Sequence, residues 1–119
     1  MEGKTMRTVT LGVSSIQDSQ NQLAAAFRGE PLGEFLSFAT VELLWKVLTT
    51  KRWAILQAMA GQGEMTIREI GRRVDRDVKA VHADVQALLL AGVLDRVASG
   101  RVIFPYDAVR VDFTLRAAA

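Results

Sequence analysis

The sequence predicts an α+β fold, and three observations predict it. Between residues 64 and 104, two helical stretches flank a three-residue polar turn and lead into two strand-like runs around Ala98-Ser99-Gly100. Thr8-Val9-Thr10-Leu11-Gly12-Val13 alternates polar and apolar, the period of a half-buried strand. Val109-Arg110-Val111-Asp112-Phe113-Thr114-Leu115-Arg116 alternates as well, placing Val109, Val111, Phe113 and Leu115 on one face. Each of these outer strands is too short to stand alone. They pair with each other or with a second subunit.

In chain order, the expected elements begin with a β-α segment over residues 1–39, suited to dimerisation or partner binding. After the first strand, Ser14 or Ser15 caps a helix with apolar positions Ile16, Leu23 and Phe27, closed by Gly29 and Pro31. Leu36-Ser37-Phe38 reads as a short extended piece. The second unit, residues 40–119, starts with a helix capped by Thr40, with Val41, Leu44, Trp45 and Leu48 on one face. Thr49-Thr50 marks a break and a fresh cap for a helix over 51–60 that buries Trp53, Leu56 and Met59 and ends at Gly61-Gln62-Gly63. Thr66-Ile67-Arg68-Glu69 is a capping box: the Thr66 hydroxyl accepts from the Glu69 N–H and the Glu69 carboxylate reaches back, with Met65 and Ile70 as the hydrophobic staple. That helix runs over 67–74. Asp75-Arg76-Asp77 is the turn, and Asp77 caps a longer helix that buries Val78, Val81, Val85, Leu88 and Leu89 before Gly92 ends it. Runs 93–97 and 101–104 then form a hairpin, with Gly100 at a positive-φ turn position and Pro105 as the stop.

Composition narrows the functional classes. At 119 residues, half hydrophobic and 24% charged, the chain is one domain's worth of globular protein. Without cysteine it has no disulfide or thiolate site, and a single histidine, His82, leaves no histidine-clustered metal site. No paired carboxylates or nucleophile arrangement suggest catalysis, and Gly61-Gln62-Gly63 falls short of a phosphate-binding fingerprint. No catalytic residue, metal or cofactor is expected. No stretch approaches the ~20 apolar residues of a membrane span, so the expectation is a cytoplasmic protein with no membrane partner. The formal charge of +2 is unevenly spread: residues 51–101 carry nine basic and six acidic side chains, whereas 1–50 carry four and five. Such a basic segment suits a polyanion.

A short helix, a tight turn, a longer helix and a basic hairpin make the layout of a winged helix-turn-helix. In that layout the longer helix enters the major groove of double-stranded DNA. Lys79, His82, Ala83 and Gln86 fall on its open side: Lys79 and His82 donate to bases or phosphates, and Ala83 meets a thymine methyl. Arg76 in the turn, Arg72 and Arg73 at the end of the shorter helix, and Arg96 and Arg101 on the hairpin are the expected phosphate or minor-groove contacts. Asp84 is the awkward acid of the set; it points aside or pairs with an arginine. Trp45 and Trp53 read as core or dimer-interface residues. By the symmetry of operators, a homodimer is expected.

Thr66-Ile67-Arg68-Glu69-Ile70-Gly71-Arg72-Arg73-Val74, Asp77-Val78-Lys79-Ala80-Val81-His82 and Leu88-Leu89-Leu90-Ala91-Gly92-Val93-Leu94 resemble the MarR-like winged-helix regulators. A closer resemblance, over about residues 36–115, is to a family of small DNA-binding proteins. It is carried by Ser37-Phe38-Ala39-Thr40, Leu43-Leu44-Trp45-Lys46-Val47-Leu48-Thr49-Thr50-Lys51-Arg52-Trp53 and Gly100-Arg101-Val102-Ile103-Phe104-Pro105-Tyr106-Asp107. That resemblance implies a transcriptional autorepressor serving as the antitoxin of a TumE-type toxin, which would be its protein partner. The competing reading is a winged-helix protein-interaction module without base readout, favoured by a long helix whose only cation is Lys79.

Overall fold

Threonine and aspartate hydroxyl or carboxylate oxygens start each of the helices in the computed structural model, which describes residues 6–13, 34–115 and 117. Thr40 accepts from the Leu43 N–H at 3.1 Å and opens α1 (Val41–Val47). Thr49 accepts from Arg52 at 3.2 Å and opens α2 (Thr50–Met59). Thr66 accepts from Glu69 at 3.1 Å at the head of α3 (Ile67–Val74), and Asp77 accepts from Lys79 at 3.1 Å at the head of α4 (Val78–Leu90). Each cap satisfies a donor the helix cannot satisfy itself, worth ~1 kcal/mol. The helix expected around Ile16, Leu23 and Phe27 lies outside the described residues.

The capping box is half formed. Glu69 does not reach back; its carboxylate is taken by Arg72 and Arg73, which lie one turn ahead on the same face. At the far end of α4, Gly92 adopts φ 82°, and the carbonyls of Leu88 and Leu89 accept from Val93 and Gly92 at 3.0 and 3.1 Å. This is the paired closure that an αL residue after the helix permits.

The hairpin strands β3 (Asp95–Arg96) and β4 (Val102–Ile103) are shorter than the apolar runs suggest, because Val93, Leu94 and Phe104 leave the ladder to fill the core. Gly100 has the expected positive φ, at 89°. Met65 and Val102 exchange both backbone hydrogen bonds, at 2.8 and 2.9 Å, tying the hairpin to the residue that precedes α3.

Strands from both sides of residue 40 form the second sheet: β1 (Thr8–Val13), β2 (Glu34–Phe38) and β5 (Ala108–Asp112), in the order β2-β1-β5. Both ladders are parallel. The terminal strands pair within the chain, from Thr8 opposite Ala108 to Gly12 opposite Asp112. Parallel neighbours need a long crossover, and here the four described helices and the hairpin lie between β1 and β5. Val9 and Leu11 of β1 are fully buried and share one core with Leu44, Ile55, Leu56, Val85 and Phe104. Arg7 fastens the sheet's rim: its backbone N–H donates to Asp107 (2.9 Å), its guanidinium grips Glu34 (2.6 and 3.1 Å), and it lies over the Tyr106 ring at 5.0 Å.

Two expected core positions are different, and Trp45, expected in the core or at a dimer interface, lies outside the core: it is 58% exposed and stacked edge-to-face on Phe113 with centroids 5.9 Å apart. The seven-residue α1 turns only Leu44 fully inward. In α2, Ile55 takes the burial expected of Trp53, which is half-buried. Val78, the first residue of α4, is 43% exposed because the buried stripe begins one turn later at Val81. Among the described residues, no helix is long and apolar enough to cross a membrane.

Candidate nucleic-acid interface

The buried stripe of α4, Val81, Val85 and Leu88, packs inward with Ile55, Leu56 and Met59 of α2 and Ile70 of α3. That fixes which side of α4 faces solvent. Lys79, His82 and Ala83 are exposed, Gln86 is half-buried, and Val78 joins them as an apolar addition at the helix start. Among the described residues Lys79 has no ion-pair partner.

Asp84, the acid on α4, is drawn off this face. Its Oδ1 accepts from Arg52 Nε at 3.0 Å and its Oδ2 from Arg76 Nη2 at 2.9 Å, and the three side chains are 16–20% exposed. Burial alone pushes the carboxyl up, but hydrogen bonds and charge from Arg52 and Arg76 outweigh it and hold the group below its ordinary range. Arg52 also donates to the carbonyls of Lys46 and Val47 at 2.9 and 3.1 Å, closing the end of α1. The cluster locks α1, α2, the turn and α4 together and neutralises a charge that would repel a polyanion.

The cluster changes the role of Arg76. The sequence places this residue against phosphate, whereas its guanidinium is folded inward, with Nη1 buried and without an acceptor among the described residues. A turn held by Asp75 in the αL conformation (φ 56°) and by the Arg76 N–H donating to Gly71 at 3.0 Å directs the side chain back toward α4. Arg72 and Arg73 share the Glu69 carboxylate, and Arg73 also donates to Gln62 at 3.1 Å, yet Arg72 remains 75% exposed. On the hairpin, Arg96 donates to the Gly100 carbonyl at 3.0 Å, while the Arg101 side chain is exposed and unpaired among the described residues.

One further cation lies here that the sequence does not single out. Arg68, exposed in the first turn of α3, lines an open cleft of about 670 Å³ with Thr66, Arg72, Asp77 and Val78. The Met65–Val102 bridge brings the hairpin, and with it Arg101, to the same end of α3. The signal was present in the capping motif itself: Thr66 at the cap makes Arg68 a first-turn residue whose side chain is not needed for packing.

A family model, HVO_A0114, matches residues 47–111, more than half of the chain. The match runs from the end of α1 through β5 and leaves out β1 and β2. No curated protein matches the chain.

Proposed function

The chain belongs to the HVO_A0114 family, and from the site it carries we propose a sequence-specific DNA-binding transcriptional regulator of winged helix-turn-helix type, acting as a homodimer. In this reading α4 is the recognition helix, the β3–β4 hairpin is the wing, and double-stranded DNA is the ligand. The withdrawal of Asp84 between Arg52 and Arg76 is the observation that carries it. Without it, the groove-facing side of α4 would present a carboxylate near Lys79 and His82. With it, Val78, Lys79, His82, Ala83 and Gln86 form a face free of negative charge and small enough to enter a major groove. Arg68, Arg72, Arg96 and Arg101 supply phosphate contacts around it, and Arg76 acts through Asp84 by holding the helix in place. The resemblance to antitoxins extends the proposal to an autorepressor that also holds a toxin-type protein.

Salt titration of binding to a duplex from the gene's own upstream region tests the reading. We expect log affinity to fall linearly with log salt, with a slope of several units. Lys79→Ala should change which sequences are preferred, whereas Arg101→Ala should weaken all duplexes alike and reduce the slope by about one. Affinity indifferent to salt would rule the proposal out. A second reading, a protein-interaction module, is favoured by one observation: Leu90, near the end of α4, is 89% exposed. It predicts that Leu90→Ser abolishes partner capture and leaves DNA affinity untouched.

A further inference from the structure

The sheet order leaves the outer edge of β5 without a partner strand among the described residues. An open edge is a template for another strand. When the same edge of two copies meets across a twofold axis, the strands run antiparallel, and residues on one face meet residues on the same face. The centre of such a pairing must therefore fall on a single residue. Arg110 and Asp112 project from one side of β5, with side chains 71% and 56% exposed and 3.8 Å apart.

We propose that β5 is the homodimer edge, pairing antiparallel with a second copy about an axis through Val111. In that register Arg110 faces the partner's Asp112, and Asp112 faces the partner's Arg110. On the other side Val109 faces the partner's Phe113. Phe113 is 38% exposed and Trp45, stacked on it, is 58% exposed, so an apolar strip accompanies the charged one. Moving the axis one residue either way sets Arg110 against itself or Asp112 against itself, and directly opposed like charges are unfavourable in a sheet. An axis through Val109 puts Asp112 opposite Tyr106 and loses both ion pairs. The Arg-x-Asp spacing thus makes the edge complementary to itself in one register. The inference rests on the homodimer part of the reading above and not on base readout.

The test uses the full chain without DNA. Sedimentation should find a dimer whose dissociation constant rises about tenfold or more in Arg110→Asp and in Asp112→Arg, since each single reversal turns two attractive pairs into repulsive ones. The double reversal should restore the dimer. A wild-type chain that is monomeric at all concentrations, or a dimer unmoved by either reversal, would overturn the proposal. Thermal melts check that the variants fold. If one does not, Val111→Cys, in a chain with no native cysteine, should cross-link to itself on mild oxidation, because directly opposed strand residues lie within disulfide reach. A dimer that fails to cross-link would place the interface elsewhere. Binding to a half-site duplex by the monomeric reversal variants separates the two readings: it survives loss of the dimer if the DNA reading holds.

Discussion

In the stretch from α3 to α4, the contacts that set the shape lie within a few residues of each other. Thr66 caps onto Glu69, Asp77 onto Lys79, Arg76 bonds back to Gly71, and Gly92 and Val93 close onto Leu89 and Leu88. The parallel sheet has the opposite character: the Arg7 N–H meets Asp107 across 100 residues, and Thr8 meets Ala108 across the same interval. The helical region pairs polar donors with polar acceptors a few residues away, while the sheet depends on loop closure over almost the whole chain. The two nevertheless share one core, which joins Val9 and Leu11 to Leu44, Val85 and Leu88. Locality of contacts and independence of folding are therefore different properties in this protein.

The largest effect should come from emptying that core. Leu88→Ala in α4 and Leu11→Ala in β1 should each cost about 3 kcal/mol, as fully buried leucines do. Urea unfolding followed by helix signal and by tryptophan fluorescence should give coincident curves for both variants. Separate transitions in Leu11→Ala would show that the sheet unfolds on its own.

Next is Asp84→Ala, which leaves Arg52 and Arg76 facing one another without their shared anion. A loss of about 2–3 kcal/mol is expected, since removing one partner of a mostly buried ion pair strands the other. The folded pKa of Asp84 lies below its ordinary value of 3.8. Its contribution is therefore complete above that value and disappears as pH falls through the lower, folded one. The stability gap between wild type and Asp84→Asn should narrow as pH is taken from 7 to about 3, measured by urea midpoints.

Arg7→Ala tests the sheet's fastening. It removes the Glu34 pair and the contact with Tyr106, both on an exposed rim, and should lower the urea midpoint only slightly, with faster amide exchange in β2 and β5 than in α4. The smallest effect belongs to Arg72→Ala. Its pair with Glu69 is solvent-exposed and Arg73 still occupies the carboxylate, so a change under about 0.5 kcal/mol is expected in the melting curve.

The same contrast accounts for what could be read from the sequence. Thr40, Thr49, Thr66, Asp77 and Gly92 act on neighbours within four residues, so their roles were legible. Val78 is exposed against expectation, and for Trp45 core and interface stay open, because periodicity says which residues share a side of a helix but not where the covering core begins and ends. Arg52 gave no signal at all: its partner Asp84 is 32 residues away. Pairing of Asp84 with an arginine was legible as one of two outcomes, but the inward turn of Arg76 was not, because it depends on the αL backbone at Asp75. The alternation in β1 and β5 identified both as strands and offered their mutual pairing as one of two outcomes, but alternation carries no direction, and so the parallel sense of that pairing could not be read from it.

That union has a consequence for biosynthesis. β1 is the middle strand of its sheet, and it leaves the ribosome 100 residues ahead of the strand that will cover one of its edges. Through most of translation, Val9 and Leu11 belong to a strand with an unsatisfied side, while the helices and hairpin that follow are able to form from local contacts. Final closure waits on the synthesis of Ala108–Asp112, making this the slow and vulnerable stage of the sheet's assembly. A nascent chain stalled before Ala108 would hold a finished helical region and an unclosed sheet.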